Sequence, residues 1–73
     1  MEEDVEKIIY KPDGREPGIS LNKEDVDLAD IAIADSNNIK AVAIKTMREL
    51  GFTVAQSVNL INAALQRQGK FVA

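Results

Sequence analysis

Few residues of this chain are equipped for covalent or acid–base chemistry. It has no histidine and no cysteine, which removes imidazole bases, thiolate nucleophiles and the usual zinc ligands. Ser20, Ser36 and Ser57 have no plausible base beside them. Carboxylates cluster only in the acidic first half, where no cleft is expected to raise a pKa. The acids Glu24, Asp25, Asp27 and Asp30 lack the glycine and closing glutamate of a calcium loop, and read as a helix start with a solvated face. The expectation is a non-catalytic protein with no cofactor and no metal. Binding chemistry is better represented. If a helix begins after Thr53, the amides of Thr53, Val54 and Ala55 form an anion site, with Lys45 and Arg48 close by in sequence. Gln56, Asn59, Asn62 (or Ala63) and Gln66 make an amide stripe. Amides can read adenine from a major groove; the plainer reading is a solvated face or the polar rim of a contact.

The charge is unevenly placed. Residues 1–35 hold four bases against eleven acids, and residues 36–73 five bases against Glu49 alone, within a net charge of −3 over 73 residues. A basic half joined to an acidic arm suits an anion-binding module, while the overall acidity opposes strong non-specific affinity for nucleic acid. Aromatics are limited to Tyr10, Phe52 and Phe71, too few for a base-stacking platform. No apolar run reaches membrane-spanning length, and the acidic start is no signal peptide, so a soluble cytoplasmic protein is expected, without membrane contact. One small domain buries little core, which makes oligomerisation the expected source of further burial.

These side chains must be positioned by a helical pair. Ile39, Val42/Ala43, Met47 and Leu50 recur at gaps of three and four, the spacing of one helical face. Gly51 ends that helix in a left-handed turn. Thr53 and Gln56 form the T-x-x-Q capping box of the next helix, whose stripe is Val54, Val58, Ile61 and Leu65 and whose stop is Gly69. Ahead of the pair, Asp35-Ser36-Asn37-Asn38 is punctuation. Residues 23–34 admit two readings. Asn22 followed by Lys-Glu-Asp looks like a capped helix start, giving a helix over 23–34. The alternation of Val26/Leu28 and of Ile31/Ile33 is a strand pattern, and the strand at 29–34 is preferred. Residues 1–22 form an arm, either a hairpin pairing Ile8–Tyr10 with Ile19–Leu21 around a Pro/Gly-rich turn, or a segment that orders on a partner.

A short strand, a polar cap, a helix ending Leu50-Gly51, a Thr53 cap and a helix running to Gly69 resemble the ribbon-helix-helix fold. Ile39-Lys40, Ala43, Glu49 to Val54, Val58 to Leu60 and Arg67 to Lys70 are similar to the core of RelB-like antitoxins. The tail Gln68 to Ala73 resembles the end of Arc-type repressors. The resemblance spans residues 29–73. It implies a mainly α fold in which two chains intertwine, pair their strands in the DNA major groove and grip phosphate at the second helix. The groove-facing residues would then be Asp30, Ala32 and Ala34, poor reading groups beside the bases Lys40, Lys45 and Arg48. The dimer core would hold Ile31, Ile33, Val42, Met47, Val54, Val58, Ile61 and Leu65. A seven-residue stretch, Arg48 to Val54, is also similar to part of the mercury-resistance-type regulators, where it lies beyond the DNA-reading helix.

The expected organisation is thus an arm (1–22) and a ribbon-helix-helix-like domain (23–73), with a three-helix bundle as the alternative fold. The expected function is a dimeric DNA-binding transcriptional regulator, an autorepressor or antitoxin. The alternative is a protein–protein interaction module whose acidic arm orders on a partner.

Overall fold

The computed structural model describes residues 6–11 and 18–69. The acidic start, the Asp13-Gly14 turn and the tail from Lys70 lie outside them. Strands β1 (Lys7–Tyr10) and β2 (Ile19–Asn22) precede three helices, α1 (Lys23–Asp35), α2 (Lys40–Glu49) and α3 (Val54–Gln68). The strands pair antiparallel, Ile8 opposite Leu21 and Tyr10 opposite Ile19, so the described residues of the arm pair as the expected hairpin does. Alternation does the sorting: Ile8, Tyr10 and Leu21 pack toward the helices while Ile9 and Ser20 face out. Lys7 Nζ donates across the strands to Asn22 Oδ1 at 2.6 Å.

Residues 23–35 are a helix, and the strand expected at 29–34 is not formed. The residues that decide this are alanines. Val26, Ala29, Ala32, Ile33 and Ser36 are all buried, and their gaps of three and four trace one helical face. The period-two alternation arose from weighing only the large aliphatics. Ile31 and Ile33, expected on the same side, point oppositely: Ile33 is 2% exposed and Ile31 57%. The sequence placed the start of α1 correctly but not its cap. Asn22 makes no side-chain cap bond, and its Oδ1 accepts from Lys7 Nζ. Instead the Lys23 N–H donates to the Glu6 carbonyl at 2.9 Å, and Glu24 and Asp25 in the first turn suit the positive end of the helix.

Both interhelical corners close by the same device. After α1, Asn37 N–H donates to the Ala34 carbonyl (3.3 Å) and Asn38 N–H to that of Ile33 (3.0 Å). After α2, Gly51 N–H donates to Arg48 (3.0 Å) and Phe52 N–H to Met47 (3.3 Å). Each is a Schellman pair that satisfies the last carbonyls of its helix. The left-handed position is Asn37 (φ 54°) in one and Gly51 (φ 108°) in the other. Thr53 then opens α3 with the expected box: Gln56 N–H donates to Thr53 Oγ1 (3.1 Å), and Thr53 N–H to Gln56 Oε1 (3.0 Å).

One buried cluster joins all of this. Val26, Ala29, Ala32 and Ile33 of α1 meet Ala43 and Met47 of α2, Leu60, Ile61, Ala63, Ala64 and Leu65 of α3, and Tyr10 of the hairpin. Alanines on both α1 and α3 suit close approach of the two helices. The result is mainly helical: a two-stranded sheet followed by three helices packed on each other.

Candidate interaction surface

The residues singled out in the sequence scatter over three environments. The first is the seam between α1 and α3. Arg67, in the last turn of α3, pairs with Asp27 at 3.0 Å and with Asp30; Gln68 also donates to Asp30. Lys23 closes on Asp27 at 2.9 Å. The hydrogen bond from Lys23 holds the Asp27 carboxyl below its ordinary pKa, with Arg67 adding to the effect. The same bond raises the Lys23 ammonium. Asp30, expected in a DNA groove, is therefore engaged by α3. Ala32, expected beside it, is core, and Ala34 is exposed on a helix.

The second environment is the interior. Of the expected dimer-core residues, Ile33, Met47, Ile61 and Leu65 are buried within the single chain and Val58 is half-buried. These side chains are already covered by their own chain. Ser57 and Ser36 are here too. Ser57 Oγ donates to the Thr53 carbonyl at 2.7 Å, and the buried Ser36 Oγ has no hydrogen-bond partner. Neither hydroxyl bonds a carboxylate or an amine.

The third environment is the outer surface, which keeps the rest. On α2, Ile39, Val42 and Leu50, expected on one face with Met47, are 49%, 45% and 57% exposed, and Val54 at the tip of α3 is 53% exposed. Ile39, Val42, Thr46 and Leu50 follow one another at gaps of three and four, so they form a single stripe beside the inward line of Ala43 and Met47. Thr46 Oγ1 donates to the Val42 carbonyl at 3.1 Å, which satisfies the only hydroxyl of the stripe within its own helix. Lys45 and Glu49 are exposed at its Val42 edge, Arg48 is exposed on the far side of the helix, Lys40 is half-buried, and Thr53 and Ala55 are exposed. The anion site at α3 is smaller than expected, because the Thr53 N–H is already bonded to Gln56. The amide stripe is split: Gln56 and Gln66 are exposed, Asn59 and Asn62 half-buried, and Ala63 buried.

A shallow groove of about 340 Å³ runs between β2 and α3, lined by Lys7, Asp25, Phe52, Gln56, Asn59 and Leu60 together with the strand. It gathers the amides of Asn22, Gln56 and Asn59 with the Asp25 carboxylate, the Lys7 ammonium and the Ser20 hydroxyl. Sequence reasoning missed this groove, whose walls come from segments far apart in the chain. No helix among the described residues is long and apolar enough to cross a membrane. No protein-family model matches the chain, and neither the curated proteins nor the solved structures provide a match.

Proposed function

We propose that this chain is a non-catalytic protein–protein interaction module that presents the outer face of α2 to a protein surface. The observation that carries the reading is the stripe Ile39, Val42 and Leu50. These are large aliphatic side chains, in line and about half exposed, on a helix whose inner face is already packed. Single exposed aliphatics are ordinary, whereas a contiguous row bordered by charge marks a contact surface. Lys45 and Glu49, both exposed along the edge of the row at Val42, favour a partner with charges of both signs around an apolar strip. A cytoplasmic location goes with this reading.

Duplex DNA is the second reading, supported by Lys45 and Arg48 standing exposed ahead of the α3 N-terminus. The intertwined ribbon-helix-helix dimer implied by the resemblance needs residues 29–34 extended. The helix there, with Ala32 inside and Asp30 held by Arg67, weighs against it. A photo-crosslinking residue placed at Val42, in cells that express the chain, separates the two. Protein adducts at Val42 that are absent from the same probe at Ser20, with no retardation of random duplex DNA at low salt, are the expected result. Retardation that weakens steeply with salt, and no protein adduct at Val42, would replace the module with a DNA-binding protein.

A further inference from the structure

The outer edge of β2 is left open by the phase of the hairpin. The Lys23 N–H donates to the Glu6 carbonyl, which makes Glu6 and Lys23 a hydrogen-bonded pair in the register of the two strands. Such pairs alternate with pairs that exchange no bond, so Ile8–Leu21 and Tyr10–Ile19 carry the ladder. The backbone groups of Ser20 and Asn22 therefore point away from β1. The Asn22 carbonyl serves α1, of which Asn22 is the N-cap. That leaves the Ser20 N–H, the Ser20 carbonyl and the Asn22 N–H, to which no other backbone group of the described residues bonds. The groove beside β2 lies along this edge. Ile19, Ser20, Leu21 and Asn22 all line it, although alternate residues of a strand face opposite sides.

We propose that this edge takes up an extended segment of a partner protein as a third strand, and that the segment alternates aliphatic with acidic residues. An extended backbone carries N–H and C=O groups along both of its edges. One edge meets Ser20 and Asn22. The other meets the facing wall of the groove, where Gln56 and Asn59 of α3 stand and side-chain amides can donate and accept. Gln56 Oε1 already accepts from the Thr53 N–H, so Gln56 offers its NH2 group. The walls also select the side chains, because an added strand continues the pleat of β2. On the helix side the segment meets Leu21, Phe52 and Leu60, which suit aliphatics. Asp25, in the first turn of α1, lines the same groove and disfavours acids there. On the outer side the segment meets Ser20 and Lys7, and the Lys7 ammonium favours acids. In such contacts main-chain bonds give affinity and alternate side chains give specificity. The surface is separate from the stripe of α2, and the proposal holds whether or not that stripe binds a protein.

Labelled peptides test it. Fluorescein-tagged hexapeptides alternate valine or isoleucine with either glutamate or lysine, and their anisotropy is read against the full chain up to about 1 mM. The glutamate peptides are expected to bind, and the lysine peptides to bind at least about tenfold more weakly. Glutamate peptides methylated at every backbone nitrogen should not bind, because they have lost their donors. On the protein, Ser20→Pro removes the outward N–H and no bond to β1, and should weaken binding at least about tenfold. Ser20→Ala keeps that N–H and should bind as the wild type does. Circular dichroism checks that both variants keep their helices; if Ser20→Pro does not, the methylated peptides and an Asn59→Leu variant, expected to weaken binding, decide in its place. No binding by any unmethylated peptide overturns the proposal, as does equal binding of methylated and unmethylated ones. Lysine peptides that bind as tightly as glutamate peptides overturn the acidic occupant. Self-association of the chain that Ser20→Pro abolishes, with no peptide bound, would give the edge to a second copy and overturn the proposal as well.

Discussion

The inner and outer faces of α1 are built from the same ingredients and meet different fates. Inward lie Val26, Ala29, Ala32 and Ile33, with Asp27 and Asp30 at the margin; outward lie Leu28 and Ile31, with Glu24 and Asp35 at the ends. The inner set has a partner within the chain, because α3 brings Ile61, Leu65 and Arg67 to it. The outer set has none among the described residues. α2 repeats the contrast with Ala43 and Met47 inside and Val42 and Leu50 outside. The difference shows that size does not sort these residues. Alanines are inside where helices approach closely, together with Val26, Ile33 and Met47, while Leu28, Ile31, Val42 and Leu50 of similar size are left outside.

The largest effect that could break this comparison is on α2. Met47→Ala should cost about 2–5 kcal/mol, since it removes a fully buried side chain and leaves a cavity. Val42→Ala, one turn away on the other side, should change stability in dilute solution by less than about 0.5 kcal/mol. Urea unfolding of both variants measures the gap, and equal losses would mean that the two faces are not distinct.

A smaller effect sharpens the comparison at the corners that set the helix phases. Gly51→Ala should cost about 1 kcal/mol or more. A Cβ there meets no neighbour, so the cost is the strain of a non-glycine residue at φ 108°. Asn37→Gly, at the equivalent position after α1, should be close to neutral, because φ 54° is already accessible to asparagine. Thermal unfolding of the pair decides it, and a neutral Gly51→Ala would remove strain as the reason for glycine at that corner.

The smallest effect is electrostatic and belongs to the inner margin of α1. Asp27 is held below its ordinary pKa by the hydrogen bond from Lys23 and then by Arg67, so the unfolded chain binds this proton more readily than the folded one. Its contribution is therefore full above the unfolded value of about 4 and is lost as pH falls through the depressed folded value. Lys23 has the opposite sign: its pKa is raised, so its contribution is present below about 10.4 and lost as pH rises through the folded value. The groups are partly exposed, so the effect is modest. Unfolding of wild type and Asp27→Asn should differ at pH 7 and converge toward pH 2; a constant gap would mean the carboxylate charge is not what Asp27 contributes.

Much of the second half of the chain was legible in sequence. Leu50-Gly51, the Thr53–Gln56 box and the Gly69 stop are local chemistry, and each is found where its residues stand. The hairpin was one of two readings of the arm, and its register follows from Ile8, Tyr10 and Leu21 facing the helices. Residues 23–35 were misread as partly extended, because Ala29 and Ala32 carry the helical phase and alanine is nearly silent in an aliphatic pattern. Ile39, Val42 and Leu50 were read on one face with Met47; on the single chain Ala43 holds the core position beside Met47 and these three stand exposed. The partnership of Asp30 with Arg67 joins the middle of α1 to the end of α3 across 37 residues of sequence, and no local rule marks it. The groove beside β2 depends in the same way on how distant segments pack.

The most direct measurement compares Ile33→Ala with Ile31→Ala by chemical unfolding at low protein concentration. A helix over residues 23–35 buries Ile33 and exposes Ile31, which predicts a loss of about 2–5 kcal/mol for the first and less than about 0.5 kcal/mol for the second. A strand at 29–34 turns both side chains the same way, so large and similar losses for the two variants would contradict the helix and the outer face of α1.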